Sequence, residues 1–184
     1  EVGGLASFVV QAKQRGTGDA VESARSLLEN SNSLVLVLSG DVPMIKLETL
    51  QKFIEHHNNS GAACTVLSVR LENPTGYGRV IRDESDAFQK IVEQRDATEE
   101  ERQVKEINSG NAAFFDAREL FKALRSVEPA NDQGEYYLTD VPTIIMANGG
   151  TVSVYLHNEA REVYGINSRA ELAEFENLVR RAAI

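Results

Sequence analysis

The run Leu34-Val35-Leu36-Val37-Leu38 is apolar throughout and shows none of the alternation that a sheet wet on one face imposes. Such a run suits a strand covered on both sides, as in a parallel sheet. Ser39-Gly40-Asp41-Val42-Pro43 stops it. Helical patterns flank it. Val21, Ala24, Leu27 and Leu28 share a face over about 19–28, opened by the turn Gly16-Thr17-Gly18. Leu47, Leu50, Phe53 and Ile54 mark a second helix to about His57, and Gly61 precedes another strand from Ala62 to Arg70. Phe8-Val9-Val10 reads as a strand ahead of them all.

An antiparallel hairpin interrupts this alternation. Tyr77 to Arg82 and Ala87 to Glu93 flank the polar turn Asp83-Glu84-Ser85-Asp86. Thr98 with Glu101 forms a capping box for a short helix to about Lys105. Glu106 to Phe115 reads as a strand broken at Ser109-Gly110-Asn111, and Asp116 with Glu119 caps a helix to about Val127. Tyr136 to Ala147 reads as a helix that tolerates Pro142 only near its start. A strand from Thr151 to Leu156 and a last helix capped by Ser168 with Glu171 complete the order. The expectation is one α/β domain over residues 1–184 with a mostly parallel sheet and an inserted antiparallel hairpin.

Composition removes several functions. A chain of 184 residues with net charge −9 repels a phosphate backbone, so non-specific nucleic-acid binding is not expected. No apolar stretch approaches the roughly 20 residues of a membrane helix. The single cysteine, Cys64, cannot form an intrachain disulfide and reads as a buried small hydrophobe. A cytoplasmic address fits best.

Ligands of open α/β sheets bind beyond the carboxyl ends of the strands, which singles out Asp41 after the run at Leu34 to Leu38. A carboxylate there can hold Mg²⁺, which takes one or two protein ligands and leaves its other positions to water and phosphate. Equally, Asp41 can simply start the turn and cap the next helix. Gly76-Tyr77-Gly78-Arg79 offers backbone that a ligand can approach closely, or an ordinary hairpin entry. Gln11 with Gly16-Thr17-Gly18 can contact a base or phosphate, or serve only as a turn. Asn167 can complete a metal shell or end a loop. The three histidines, His56, His57 and His157, have no shared metal spacing and are assigned to structure. No Gly-x-Ser-x-Gly or Cys/His nucleophile signature is present. Nucleotidyl transfer needs none, because a phosphate monoester is largely dianionic at neutral pH and attacks without a protein base.

Taken in order, Gln11 to Ala20, Ser39-Gly40-Asp41-Val42-Pro43, Pro74 to Arg79, Ile91-Val92-Glu93, Glu106 to Gly110, Gln133 to Asp140 and Gly165 to Arg169 resemble the uridyltransferase domain of bacterial bifunctional N-acetylglucosamine-1-phosphate uridyltransferases. The resemblance runs over nearly the whole chain. It implies a GT-A-like, Rossmann-related fold that joins UTP to N-acetylglucosamine 1-phosphate, giving UDP-N-acetylglucosamine and pyrophosphate. It implies that Gln11, Gly16 and Thr17 contact the uracil, and that Asp41 and Asn167 bind Mg²⁺. Gly78, Glu93 and Asn108 would hold the N-acetylglucosamine moiety, with Tyr137 and Thr139 lining its pocket.

The family's Gly-rich loop, whose arginine and a following lysine cradle the UTP phosphates, has no counterpart among these 184 residues. The fold is therefore expected to be N-terminally incomplete, no catalytic residue is assigned, and the chain alone is expected to turn over UTP weakly or not at all. A non-catalytic UDP-sugar-binding or interaction module derived from that family is the alternative. So is a related sugar nucleotidyltransferase using another base or sugar. Strands without partners invite pairing, so a homo-oligomer is expected.

Overall fold

The computed structural model describes residues 3–166 together with residues 169, 172, 173 and 176. Its sheet holds β1 (Leu34–Val37), β2 (Cys64–Arg70), β3 (Arg79–Arg82), β4 (Phe88–Val92), β5 (Glu106–Asp116) and β6 (Val152–His157). The order is β4-β3-β5-β2-β6, and β1 pairs with β5.

Alternating side chains divide the core between the two faces of this sheet. Leu67, Val69, Ile107 and Phe114 point to one face and pack with Phe53 of α3 (Leu47–Ser60), the Phe53 and Phe114 rings lying 4.6 Å apart. Val66, Ala113 and Phe115 point to the other, against Leu120 and Phe121 of α5 (Ala117–Leu124) and Val141 and Ile145 of α6 (Val141–Ala147). Each fully buried Leu, Ile, Val or Phe side chain contributes about 1.5–3 kcal/mol of transfer free energy, so this three-layer packing fixes the sheet. β1 packs on both faces, Leu34 and Leu36 on the α3 side and Val35 and Val37 on the other, but its side chains are only partly buried and Leu38, expected in the covered run, is exposed.

Strand direction departs from the expectation. Only β2 and β6 pair in parallel; β1 with β5, β2 with β5, β3 with β4 and β3 with β5 are all antiparallel. The sheet is therefore not mostly parallel. β1, β2 and β6 do run the same way, as helical crossovers require, but the 11-residue β5 enters between β1 and β2 in the opposite sense. An apolar run carries no signal of which neighbour it will meet. The expected break at Ser109-Gly110-Asn111 takes the form of a register shift, with Val66 opposite Ala113 but Ser68 opposite Asn108.

Local chemistry accounts for the other boundaries. Gly61 ends α3 in the left-handed region, at φ 62°. The capping box of Thr98 and Glu101 opens α4 (Glu99–Arg102), which is shorter than expected, and the Asp116 carboxylate caps α5 by accepting from the amides of Arg118 and Glu119. The helix expected over 19–28 is two short ones, α1 (Thr17–Glu22) and α2 (Arg25–Leu28). Phe8-Val9-Val10 forms no strand, and Phe8 and Val10 are exposed. Tyr136 is not helical. Its amide donates to the Arg15 carbonyl and its carbonyl accepts from Gly18, both at 2.8 Å, which commits its backbone to a different segment. A 3-10 turn, Leu138–Asp140, follows, and α6 begins with Pro142 in its first turn, where a missing N–H is harmless. The last helix's cap, Ser168 with Glu171, lies outside the described residues.

Candidate functional site

Register builds the first cluster. Arg79 pairs with both Val92 of β4 and Ile107 of β5, so Gly78 and Glu93, just beyond the ends of β3 and β4, meet beside Asn108 within β5. The Asn108 amide donates to the Gly78 carbonyl at 2.9 Å. A Cβ on Gly78 would stand 3.2 Å from Glu93 Oε2, so glycine allows this close approach. The 3-10 turn brings Thr139 in from the far side, and its hydroxyl donates to Glu93 Oε1 at 2.9 Å. Asn108 also lies opposite Ser68, towards the carboxyl end of β2, where ligands of α/β sheets bind.

Burial sets the electrostatics of this cluster. Desolvation pushes the Glu93 carboxyl above the usual carboxylate range, the Thr139 hydroxyl opposes this, and the negative charges of Asp96 and Asp140 add to it. Asp140 is likewise raised, by burial and then by Asp96. A cavity of about 420 Å³ adjoins them, lined by Glu93, Asp96, Tyr137, Thr139 and Asp140 among others. The buried Tyr137 hydroxyl accepts from Gln133 Nε2 at 2.5 Å. A larger cavity, about 750 Å³, lies at the opposite ends of β1, β2 and β6 beside His57, Gly61, Asp116 and Thr151, and none of the site residues expected from sequence lines it.

A second cluster joins the first through the chain at Tyr136 to Leu138. Gly16 has φ 113°, and a Cβ there would fall 2.5 Å from the Tyr136 carbonyl oxygen. Thr17 Oγ1 accepts from the Leu138 amide at 3.0 Å. Gln11 Nε2 donates to the Gly16 carbonyl at 3.2 Å and to Asp19 Oδ2 at 2.8 Å. Gln11, Gly16 and Thr17 are thus fixed against the segment that carries Tyr137 and Thr139.

Asp41 is exposed in the turn after β1, and its carbonyl accepts from the Ile166 amide at 2.9 Å. Asn167, the other metal ligand expected from sequence, lies outside the described residues. Among the described residues no group of three or more His, Cys, Asp or Glu side chains could hold a metal. A single exposed carboxylate still fits the donor set of Mg²⁺, which draws most of its ligands from water and phosphate. The histidines make structural contacts: His57 Nδ1 lies 2.7 Å from Thr65 Oγ1, and His56 Nε2 lies 2.8 Å from Ser153 Oγ.

Two buried charges, Glu162 and Arg79, take roles that the sequence does not assign them. Glu162 accepts from Thr49 Oγ1 at 2.5 Å and from Lys46 Nζ at 2.9 Å, tying the start of α3 to the 3-10 turn Ala160–Val163. Arg79, 1% exposed, lies behind Gly78. Their partners are distant in sequence or belong to the backbone, so no spacing announces them.

Among the described residues no helix is long and apolar enough to cross a membrane. The nucleotidyl transferase family model matches residues 4–160. The chain is 46% identical over 180 residues to the Bifunctional protein GlmU of Geobacillus thermodenitrificans, covering 98% of this chain and 39% of that relative. It is 44% identical over 178 residues to the Bifunctional protein GlmU of Streptococcus sanguinis, covering 97% of this chain and 39% of the relative. The chain thus spans about two-fifths of the length of these relatives. A crystal structure from Bacillus anthracis, assigned as a glucose-1-phosphate thymidylyltransferase in complex with a sucrose, superposes with a TM-score of 0.70 at 18% identity over 95% of this chain and 65% of that one, a likeness of fold. The chain belongs to the nucleotidyl transferase family.

Proposed function

We propose that the chain carries the sugar- and base-binding part of a site that joins UTP to N-acetylglucosamine 1-phosphate, releasing pyrophosphate. The observation that carries this reading is the meeting of Gly78, Glu93, Asn108 and Thr139. A desolvated carboxylate has about four acceptor sites, and Thr139 fills one. Neighbouring hydroxyls of a pyranose would supply the donors that complete it from the adjoining cavity, and Gly78 lets the loop backbone come close to the carboxylate. The similarity to proteins named GlmU supports the same substrate pair.

Gln11 commits its amide nitrogen to Gly16 and Asp19, so its side-chain oxygen would be the atom that accepts from the imide N–H of a uracil. Mg²⁺ would be held by Asp41 with Asn167, where it would neutralise charge on the phosphates. The Ile166–Asp41 backbone bond supports this, since it holds the residue before Asn167 at the Asp41 turn. The attacking group, a sugar phosphate, is already ionised, so the protein's contribution is alignment and charge neutralisation. A cytoplasmic address is part of the proposal, in keeping with the free, buried Cys64.

Calorimetry with Mg²⁺ present, comparing UDP-N-acetylglucosamine with dTDP-glucose, tests the assignment. Preference for the first supports it. Preference for dTDP-glucose would move the chain to another base and sugar, and binding of neither would favour a non-catalytic interaction module.

A further inference from the structure

Arg79 is among the largest fully buried side chains and has no carboxylate among its hydrogen-bond partners. Its guanidinium donates to the Tyr77 carbonyl, to Gln94 Oε1 at 2.8 Å, and to the Arg102 carbonyl at 3.4 Å. Burial of a charge facing only neutral acceptors is unfavourable, and here burial and nearby Arg102 draw the guanidinium below its usual range. A buried charge in that position has to be held by several well-placed dipoles at once. It fixes those dipoles in return.

Two of these acceptors, the Tyr77 carbonyl and Gln94 Oε1, lie next in sequence to Gly78 and Glu93 of the proposed sugar site. Gln94 Oε1 also accepts from the Gly76 amide at 3.2 Å, so one side-chain oxygen joins the start of the Gly76-Tyr77-Gly78 loop to Arg79. β4 ends at Val92, and the turn that follows, closed by the Asp96 and Ala97 amides on the Glu93 carbonyl, separates the Glu93 and Gln94 side chains. Glu93 accordingly meets Gly78 and Thr139, while Gln94 bonds Arg79 and Gly76. We propose that Arg79 and Gln94 form a latch that presets the Gly76–Gly78 loop against Glu93, making Arg79 a positioning residue for the sugar ring. The inference rests on the assignment of Gly78 and Glu93 to sugar binding, and it adds two residues that touch no sugar themselves.

Gln94 is half-buried, so it is the milder residue to alter. Gln94→Leu removes the shared acceptor at similar size, and Gln94→Glu restores it. The affinity of UDP-N-acetylglucosamine relative to UDP is measured by calorimetry for the full chain and both variants, at a temperature where all are folded. The latch requires that Gln94→Leu reduce the sugar's gain in affinity tenfold or more with UDP affinity unchanged, and that Gln94→Glu keep most of the gain. An unchanged gain in Gln94→Leu overturns the proposal, as does an equal loss for both ligands. Amide hydrogen exchange at Asn108, which bonds Gly78 and not Gln94, gives a readout without ligand. Gln94→Leu is expected to speed it at least tenfold, and unchanged exchange refutes the latch. Should the wild-type chain gain nothing from the sugar, the sugar-binding assignment fails and positioning fails with it, while exchange at Asn108 still decides whether the loop is latched.

Discussion

The Ile166 amide donates to the Asp41 carbonyl at 2.9 Å, joining the turn after β1 to a segment 125 positions further along the chain. Glu162 braces the same junction from below. Its carboxylate accepts from Thr49 and from both the side chain and the backbone of Lys46, which ties the start of α3 to the 3-10 turn Ala160–Val163.

Removing that brace costs stability. Glu162 is 5% exposed, and Glu162→Ala leaves the Thr49 hydroxyl without its acceptor. Urea unfolding is expected to show a loss of about 1–3 kcal/mol. Burial pushes the Glu162 carboxyl up, but bonds from Thr49 and Lys46 outweigh it and hold the group below its usual range. A carboxyl lowered in the folded state contributes stability above its unfolded pKa, and that stability disappears as pH falls through the folded value. The gap between wild type and Glu162→Ala should therefore be widest near neutrality and close on acidification below the ordinary carboxylate range.

Glu93 has the opposite sign. Its carboxyl is raised in the fold, chiefly by burial, so the fold binds that proton more tightly than the unfolded chain does. The stability it contributes is complete below the unfolded pKa and is lost as pH rises through the folded value. Glu93→Gln removes the cost of ionising a buried carboxyl. Its thermal midpoint at neutral pH is expected to equal or exceed that of wild type, and a clearly lower midpoint would contradict this.

Gly16→Ala should be far more damaging than an ordinary turn substitution. It combines strain at φ 113° with a Cβ only 2.5 Å from the Tyr136 carbonyl oxygen, which is backbone and cannot swing away. A loss of about 2 kcal/mol or more in chemical unfolding is expected. Gly40→Ala is the control. A Cβ at Gly40 meets nothing within 4 Å, and it should stay within about 0.5 kcal/mol of wild type.

We propose that the chain associates with itself. β1 pairs with β5 along one edge, and no strand among the described residues pairs with the other, while Leu5, Phe8, Val10 and Leu38 are exposed. Light scattering at micromolar concentration is expected to give a mass of at least twice 20.2 kDa. A steady mass of one chain would contradict it.

What the sequence made legible follows the range over which each signal acts. The helix marked by Leu47, Leu50, Phe53 and Ile54, the Thr98–Glu101 capping box, the Asp116 cap and the hairpin around Asp83 to Asp86 are local, and each is found close to its expected place. Of the four helix markers, however, Phe53 alone is buried, and Leu47 and Ile54 are exposed. Sheet direction is not local. Nothing in Glu106 to Asp116 reports that it will lie between β1 and β2, so the sheet's mixed pairing was out of reach. Tyr136 carried a helical pattern yet gave its backbone to Arg15 and Gly18, a tertiary demand that propensity cannot foresee. Of the site, Gly78, Glu93, Asn108 and Thr139 are the residues that the family resemblance implies, and they do meet; Gln94 and Glu162 act through distant partners and leave no trace in spacing.

The proposed sugar site stands on Glu93 receiving the hydroxyls of the ring. The most direct measurement is calorimetric titration of wild type and Glu93→Gln with UDP-N-acetylglucosamine and with UDP. Loss of charge-assisted hydrogen bonds predicts a tenfold to hundredfold weaker affinity for the sugar nucleotide, about 1.4–2.8 kcal/mol, with UDP binding unchanged. Equal affinities of wild type and Glu93→Gln for UDP-N-acetylglucosamine would contradict it.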